Sequence, residues 1–171
     1  MKSHQRHTLF AVVLLLALFT INWLNNSEQE TLPNIAFTDI DGQQHSLHDF
    51  HGKPTLVIFW ATDCPGCIQE MPELIALHKE YSDQGLAMIG VAMAHDSIEH
   101  IKAMRTEKKL PYLITWDQSS QIAHAFDNVR VTPTHFLINP EGEITMRKIG
   151  TLNMELLHEK LQSMGLSPNQ S

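Results

Sequence analysis

The sequence predicts an α/β fold built on a central mixed sheet, and three observations carry that reading. Strand-length apolar runs alternate with segments of helical period, the pattern of an α/β sandwich whose sheet is partly parallel. One run, Thr55-Leu-Val-Ile-Phe-Trp-Ala61, is apolar along its length, as a strand covered on both faces has to be. That run leads into an amphipathic segment opening with Cys64-Pro65-Gly66-Cys67, which holds the only two cysteines of the chain.

The elements follow in order. Ile35 to Ile40, the pair Asp41-Gly42, and Gln43 to Leu47 read as a β-hairpin, because Asp-Gly between strand-like runs favours a tight turn. Residues 49–54 form a turn carrying Gly52. After the central strand, a helix over 64–81 places Ile68, Met71, Leu74, Ile75 and His78 at helical spacing. Pro72 lies inside it, removes one backbone donor and predicts a kink. Gly85 closes the next turn, and Leu86 to Ala94 is a second buried strand. Ser97 caps a helix to about Lys109 whose apolar side is Ile98, Ile101 and Met104. Residues 111–116 are a short strand, and Ser119 and Ser120 start a helix to about Phe126. Thr134 to Ile138 is a strand, Asn139-Pro-Glu-Gly142 a turn, and Glu143 to Ile149 another strand. A helix from Leu152 to Met164, closed by Gly165, ends the domain. The order is a hairpin, then βαβα, a short βα insert, and ββα.

The N-terminus is different material. Lys2 and Arg6 precede an apolar stretch from Leu9 to Leu24 broken only by Thr20 and Asn22. Its length is slightly under the roughly 17–25 residues of a spanning helix, so signal anchor and signal peptide compete. No small-residue cleavage pattern follows, since the next residues are Asn25, Asn26, Ser27 and Glu28, and no cysteine stands ready for a lipid. The expectation is an uncleaved anchor over 1–24, a linker over 25–30, a folded domain over 31–166 and a tail over 167–171. The basic N-tail stays cytoplasmic and the domain lies across the membrane. A net charge of -7 argues against nucleic acid as a partner, and 43% hydrophobic residues suit a proper core.

A C-x-x-C pair where a strand feeds a helix reads as a redox dithiol. The spacing lets the two sulfurs face each other across the first turn. The helix N-terminus favours the thiolate, which makes Cys64 the nucleophile. Cys67, one turn in, is placed to resolve a mixed disulfide. Two blander readings compete. A structural zinc site wants four ligands, and the 11 histidines do not exclude Cys2His2 by count. Yet no H-x3–5-H pair follows at finger-like distance; His95 and His100 straddle a helix start. An inert bridge is the other, but a lone C-x-x-C pair suits a catalyst better than a disulfide-stapled scaffold. His45, His48 and His51 alternate along the hairpin and turn and read as a solvated face. The methionines sit mostly at apolar positions and read as packing. No metal and no cofactor is expected.

Phe59-Trp60-Ala61 before the dithiol, Glu70-x-Pro72, Val131-Thr132-Pro133-Thr134 and Asn139-Pro140-Glu141-Gly142 together make a specific pattern. Over residues 31–166 the chain resembles thioredoxin-fold proteins of the membrane-anchored TlpA/ResA/CcmG group. The hairpin and the insert over 97–116 fit that group better than plain thioredoxin. The resemblance implies a thioredoxin-like fold and a monomer that reduces client proteins bearing cysteines or disulfides, apocytochrome c among them. It implies a membrane thiol-disulfide electron donor that recharges the dithiol. It also places the catalytic domain in the periplasm, on a bacterial inner-membrane anchor. Pro133 is then cis and faces the motif, and the backbone of Thr132 pairs with an extended client segment. Glu70 shares a helical stripe with Cys67 and Leu74; an acid at this offset is an active-site group in the family, acting as proton acceptor for the buried thiol. Trp60 is either core or a wall beside the dithiol that a client would touch.

Three positions depart from the family pattern. Thioredoxins carry a buried Asp where this chain has Ile58. Asp63 replaces the usual aromatic before Cys64, where its charge opposes the thiolate although it could cap the helix. Pro65-Gly66 is diagnostic of no one subfamily. A second function class also stays open: a copper-handling protein that binds Cu(I) through Cys64, Cys67 and His135, since soft thiolates suit that metal.

Overall fold

The computed structural model describes residues 13–16, 20 and 33–169. The chain divides into two units, Met1–Glu30 and Thr31–Ser171. In the first, the described residues are helical. The rest of the anchor expected over 1–24, and the linker over 25–30, lie outside the described residues. Among the described residues no helix is long and apolar enough to cross a membrane.

In the second unit the elements run β1 (Ala36–Thr38), β2 (Gln44–Ser46), β3 (Thr55–Trp60), α1 (Pro65–Tyr81), β4 (Ala87–Ala92), α2 (Ile98–Lys108), β5 (Leu113–Trp116), α3 (Gln121–Ala125), β6 (Thr134–Ile138), β7 (Ile144–Ile149) and α4 (Met154–Ser163). Five strands form one sheet in the order β5-β4-β3-β6-β7. β3 and β4 pair in parallel, as do β4 and β5, whereas β6 is antiparallel to both β3 and β7. The sheet is therefore mixed, and β3 is its middle strand.

All six residues of β3 are buried. Alternation along the strand splits them between two cores. Leu56, Ile58 and Trp60 join Met71, Leu74, Leu77 and Tyr81 of α1, Ile101 of α2, and Leu157 and Leu161 of α4. Val57 and Phe59 join Phe37, Ile122, Phe126 and Phe136 on the other side. The second core is organised by aromatic rings. Phe59 meets Phe126 and Phe136 edge-on at 5.5 and 5.8 Å, and Phe126 meets Phe136 at 4.9 Å.

The hairpin differs from its expected two-residue turn. Its loop runs from Asp39 to Gln43, because the Asp39 carboxylate accepts hydrogen bonds from the backbone N–H groups of Asp41 (2.9 Å) and Gln43 (2.8 Å). It also bonds the His45 ring at 2.9 Å. Burial works to raise the Asp39 pKa, but the His45 ring and the two N–H groups outweigh it and hold the carboxyl below its usual value. The hairpin then clips to the edge of the main sheet. Ile40 N–H donates to Ile114 O, and Thr115 Oγ1 to Thr38 O, which covers the otherwise open β5 edge. His45 stacks on Phe37, and His48 lies against His51.

Helix starts follow local chemistry. Ser97 caps α2 as expected, its Oγ accepting from His100 N–H. α3 starts after Ser120, as expected, but Ser120 sits at φ 60° and its side chain makes no cap hydrogen bond. The buried carboxylate of Asp117 takes that role and accepts from Ile122 N–H (3.1 Å) and Ala123 N–H (2.7 Å). Pro72 does not break α1, which runs on through it with the proline on the exposed face.

Phe136 is fully buried at the centre of the aromatic core. Phe136→Ala is expected to lower stability by about 3–5 kcal/mol, the usual cost of emptying an aromatic site. Urea unfolding of the domain checks this, and a loss under about 1 kcal/mol would mean the aromatic cluster collapses around the gap.

Candidate active site

The segment between β3 and α1 is held by an acid from another loop. Asp96 accepts from Thr62 N–H (2.7 Å) and Thr62 Oγ1 (2.8 Å), and also from Ser97 N–H (2.8 Å). One carboxylate thus ties the approach to the dithiol to the start of α2. Two residues on, Cys64 is the N-cap of α1, and Pro65 fills the first helical position. Cys64 Sγ accepts from Cys67 N–H at 3.2 Å. Asp63, expected as a candidate cap, is not one. The sulfur of Cys64 occupies that role, and the Asp63 side chain is 76% exposed, 3.4 Å from His95 Nε2.

Cys64 and Cys67 are joined as a disulfide with Cα atoms 5.3 Å apart. Cys64 is 9% exposed and Cys67 2%, because the helix turns Cys67 onto the sheet. The Thr132–Pro133 bond is cis. Pro133 faces the motif: its Cδ lies 3.5 Å from where a Cβ on Gly66 would stand. Thr132 is half-buried, and its backbone makes no hydrogen bond to another described residue. Val131 beside it is 52% exposed.

Glu70 lies on the buried stripe of α1 with Cys67, Met71 and Leu74. Its carboxylate is 2.6 Å from the Nε2 of His135 on β6, and both side chains are sealed from solvent. His135 is the cross-strand partner of Ile58. The place where thioredoxins carry a buried acid is apolar here, and an ionisable pair stands at its neighbour instead. Tyr112 completes the surround. Burial, and then the charge of Glu70, push its phenol well above the ordinary tyrosine value, so it stays a protonated donor.

Of the expected residues, the fold brings Cys64, Cys67, Glu70, Thr132 and Pro133 to one end of the sheet. Trp60 needs correction as a client contact. At 3% exposure its ring is core, facing Gly90 and Tyr112, and it offers a client no face. His135, considered above only as a copper ligand, is turned onto Glu70. Among the described residues no group of three or more His, Cys, Asp or Glu is arranged to hold a metal. Asp96 and Tyr112 were not read from the sequence at all. Asp96 directly before the Ser97 cap was the one visible sign, since acids at such positions bond to backbone.

The burial difference sets an order of reactivity. In the reduced protein at neutral pH, a small alkylating reagent is expected to label Cys64 at least about tenfold faster than Cys67, as thiolate character and access both favour it. Mass mapping of the labelled peptides checks this; faster labelling of Cys67 would reverse the roles.

The model of the AhpC/TSA family matches residues 29–147. The thiol-disulfide oxidoreductase ResA of Geobacillus kaustophilus is 30% identical over 174 residues, covering 96% of this chain and 99% of that relative. A Neisseria meningitidis protein solved in solution and described as a thioredoxin superposes with a TM-score of 0.74 at 29% identity, over 80% of this chain and 90% of that one. The thioredoxin domain of a thiol-disulfide oxidoreductase from Bacteroides vulgatus gives 0.66 at 26% identity, over 78% and 94%. The dithiol at the head of α1 sits on the fold these proteins share, and the chain belongs to the AhpC/TSA family as a thioredoxin-like, ResA-type thiol-disulfide oxidoreductase.

Proposed function

We propose that the domain reduces disulfides in exported client proteins, apocytochrome c among them. In this reading residues 1–24 keep it on the outer side of a bacterial inner membrane, and a membrane thiol-disulfide donor recharges it. The observation that carries the direction is the pair of acids flanking the dithiol. Asp63 directly precedes Cys64, and Glu70 lies one turn beyond Cys67 on the buried stripe. A strong oxidant needs a reduced form stabilised by a very acidic nucleophilic thiol. Negative charge beside the sulfurs works against that.

The chemistry is a two-electron exchange. Cys64 thiolate attacks one sulfur of a client disulfide; a Cys64–client bond forms, and the other client sulfur leaves as thiolate. Cys67 then attacks Cys64 Sγ. The Cys64–Cys67 bond forms, and the second client sulfur leaves. Clients dock by laying an extended segment against the unbonded backbone of Thr132, beside Pro133 and the exposed Val131, which gives affinity without demanding one client sequence.

Two outcomes are expected. Equilibration with glutathione buffers places the potential nearer the roughly -270 mV of thioredoxin than the roughly -120 mV of a strong oxidant. A value above about -150 mV would favour disulfide donation instead. The full chain also stays with membranes through a carbonate wash, as an uncleaved apolar N-terminus requires. Recovery of a soluble species starting near residues 25–30 would show cleavage.

A further inference from the structure

Among the described residues, four buried side-chain nitrogen or oxygen atoms have no hydrogen-bond partner. Two of them, Glu70 Oε2 and His135 Nδ1, belong to an ion pair that is wholly enclosed. A third is Trp60 Nε1, on the same face of the sheet. Buried polar atoms left open are uncommon, and each calls for a reason. A pair that served only to hold α1 against β6 would be expected to close its remaining valences onto nearby backbone.

The pair has only two charge states of low cost. With one proton between Oε1 and Nε2 it carries a single negative charge. With a second proton it is neutral. Any other state carries two negative charges or a net positive one where water does not reach. Cys67 stands one helical turn before Glu70 on the same buried stripe, the spacing at which side chains on a helix meet. The unpartnered Oε2 is the carboxylate oxygen not engaged by His135.

We propose that His135 is a positioning residue for disulfide exchange: with Glu70 it forms a buried proton-sharing pair that takes the proton of Cys67 as that thiol attacks Cys64. The proposal rests on the exchange reading but not on its direction. In the step, Cys67 Sγ bonds to Cys64 Sγ, the Cys64–client bond breaks, and the client sulfur leaves as thiolate. The Cys67 proton passes to Glu70 Oε2, and the pair goes from one negative charge to none. When a dithiol donor reduces the bridge, the pair returns that proton to Cys67. His135 supplies the second site over which the proton is shared. The acceptor strength of Glu70 is thereby set from β6 rather than from the helix alone.

The other groups facing the pair do not replace it. From α1 this is Cys67; His78, further along the helix, lies against Tyr112. From the approach to β5 comes Tyr112, held protonated by burial and by Glu70. From β3 comes the indole of Trp60, which does not titrate. Across the sheet, His135 pairs with Lys148 of β7, whose side chain is exposed.

A chromogenic aromatic disulfide separates the two steps on the full chain, because attack by Cys64 and resolution by Cys67 each release one coloured thiolate. His135→Gln keeps a neutral N–H donor toward Glu70 but cannot titrate. In this variant the ratio of the second rate to the first is expected to fall about tenfold, and in Glu70→Gln about a hundredfold, the lower end of what a general base supplies. The pH profile of the second rate between about pH 5 and 8 is expected to lose one titration in His135→Gln and to flatten in Glu70→Gln. A ratio and a profile unchanged in His135→Gln would make His135 a packing residue and overturn the proposal. Absence of the first release from the wild-type protein would instead sink the exchange reading itself. Independently of any variant, the ring nitrogen signals of His135 in the wild-type protein are expected to titrate at different pH in the oxidised and reduced forms; identical titrations would also overturn the proposal.

Discussion

Burial of β3 on both faces is the constraint from which the rest follows. A strand with six enclosed residues and a backbone paired to β4 on one side and β6 on the other cannot slide. A one-residue slip would exchange Leu56, Ile58 and Trp60 with Val57 and Phe59 and bring each set into the wrong core. The chain therefore leaves the sheet at a fixed point, and Asp96 fixes the short stretch that follows. Cys64 arrives at the head of α1 because nothing upstream has freedom to put it elsewhere. Once Met71, Leu74 and Leu77 are seated on the sheet, the phase of the helix is set. Cys67 and Glu70 then point inward by the same rotation.

That rotation makes two cysteines of one motif unequal. Cys64 ends the loop and keeps some access, while Cys67 is shut against the sheet. Unequal access is what a two-step exchange requires, since the first sulfur must meet a partner and the second must meet only the first. Pro133 borders the same spot from the loop before β6, its Cδ at ordinary contact distance, 3.5 Å, from where a Cβ on Gly66 would stand. Access to the dithiol is thus limited by β3, α1 and the loop before β6 together.

The enclosed acid and histidine run against the economy of a core. An unpartnered buried polar atom costs about 1–3 kcal/mol, a large fraction of the roughly 5–15 kcal/mol by which domains are stable. The sheet offsets this with apolar packing elsewhere, notably the rings of Phe59, Phe126 and Phe136 and the covered edge at β5. Tyr81 adds a link between α1 and α4, its hydroxyl 2.8 Å from His158.

Much of this was legible in the sequence, and for definite reasons. An apolar run bounded by turn residues, such as 55–61 or 134–138, reports a central strand because only burial on both faces permits it. Helical spacing marked α1, and Ser97 marked the start of α2, since those signals are local. The C-x-x-C spacing at a strand-to-helix junction likewise marked the dithiol. The sequence left open which side chains win nearby backbone donors, and what depends on residues distant along the chain. The hairpin loop is longer than Asp-Gly alone implies because Asp39 competes for its backbone donors. α3 is capped by Asp117, which the chain reaches only after leaving β5. Trp60 is core because β4 offers Gly90 beside it and the segment before β5 brings Tyr112 to the same glycine. His135 meets Glu70 across 65 residues of sequence because α1 lies over the face of β6 that carries His135. A periodicity can say which side of a helix is buried, but only the packed sheet decides which buried group stands opposite, and here that group is a base facing an acid.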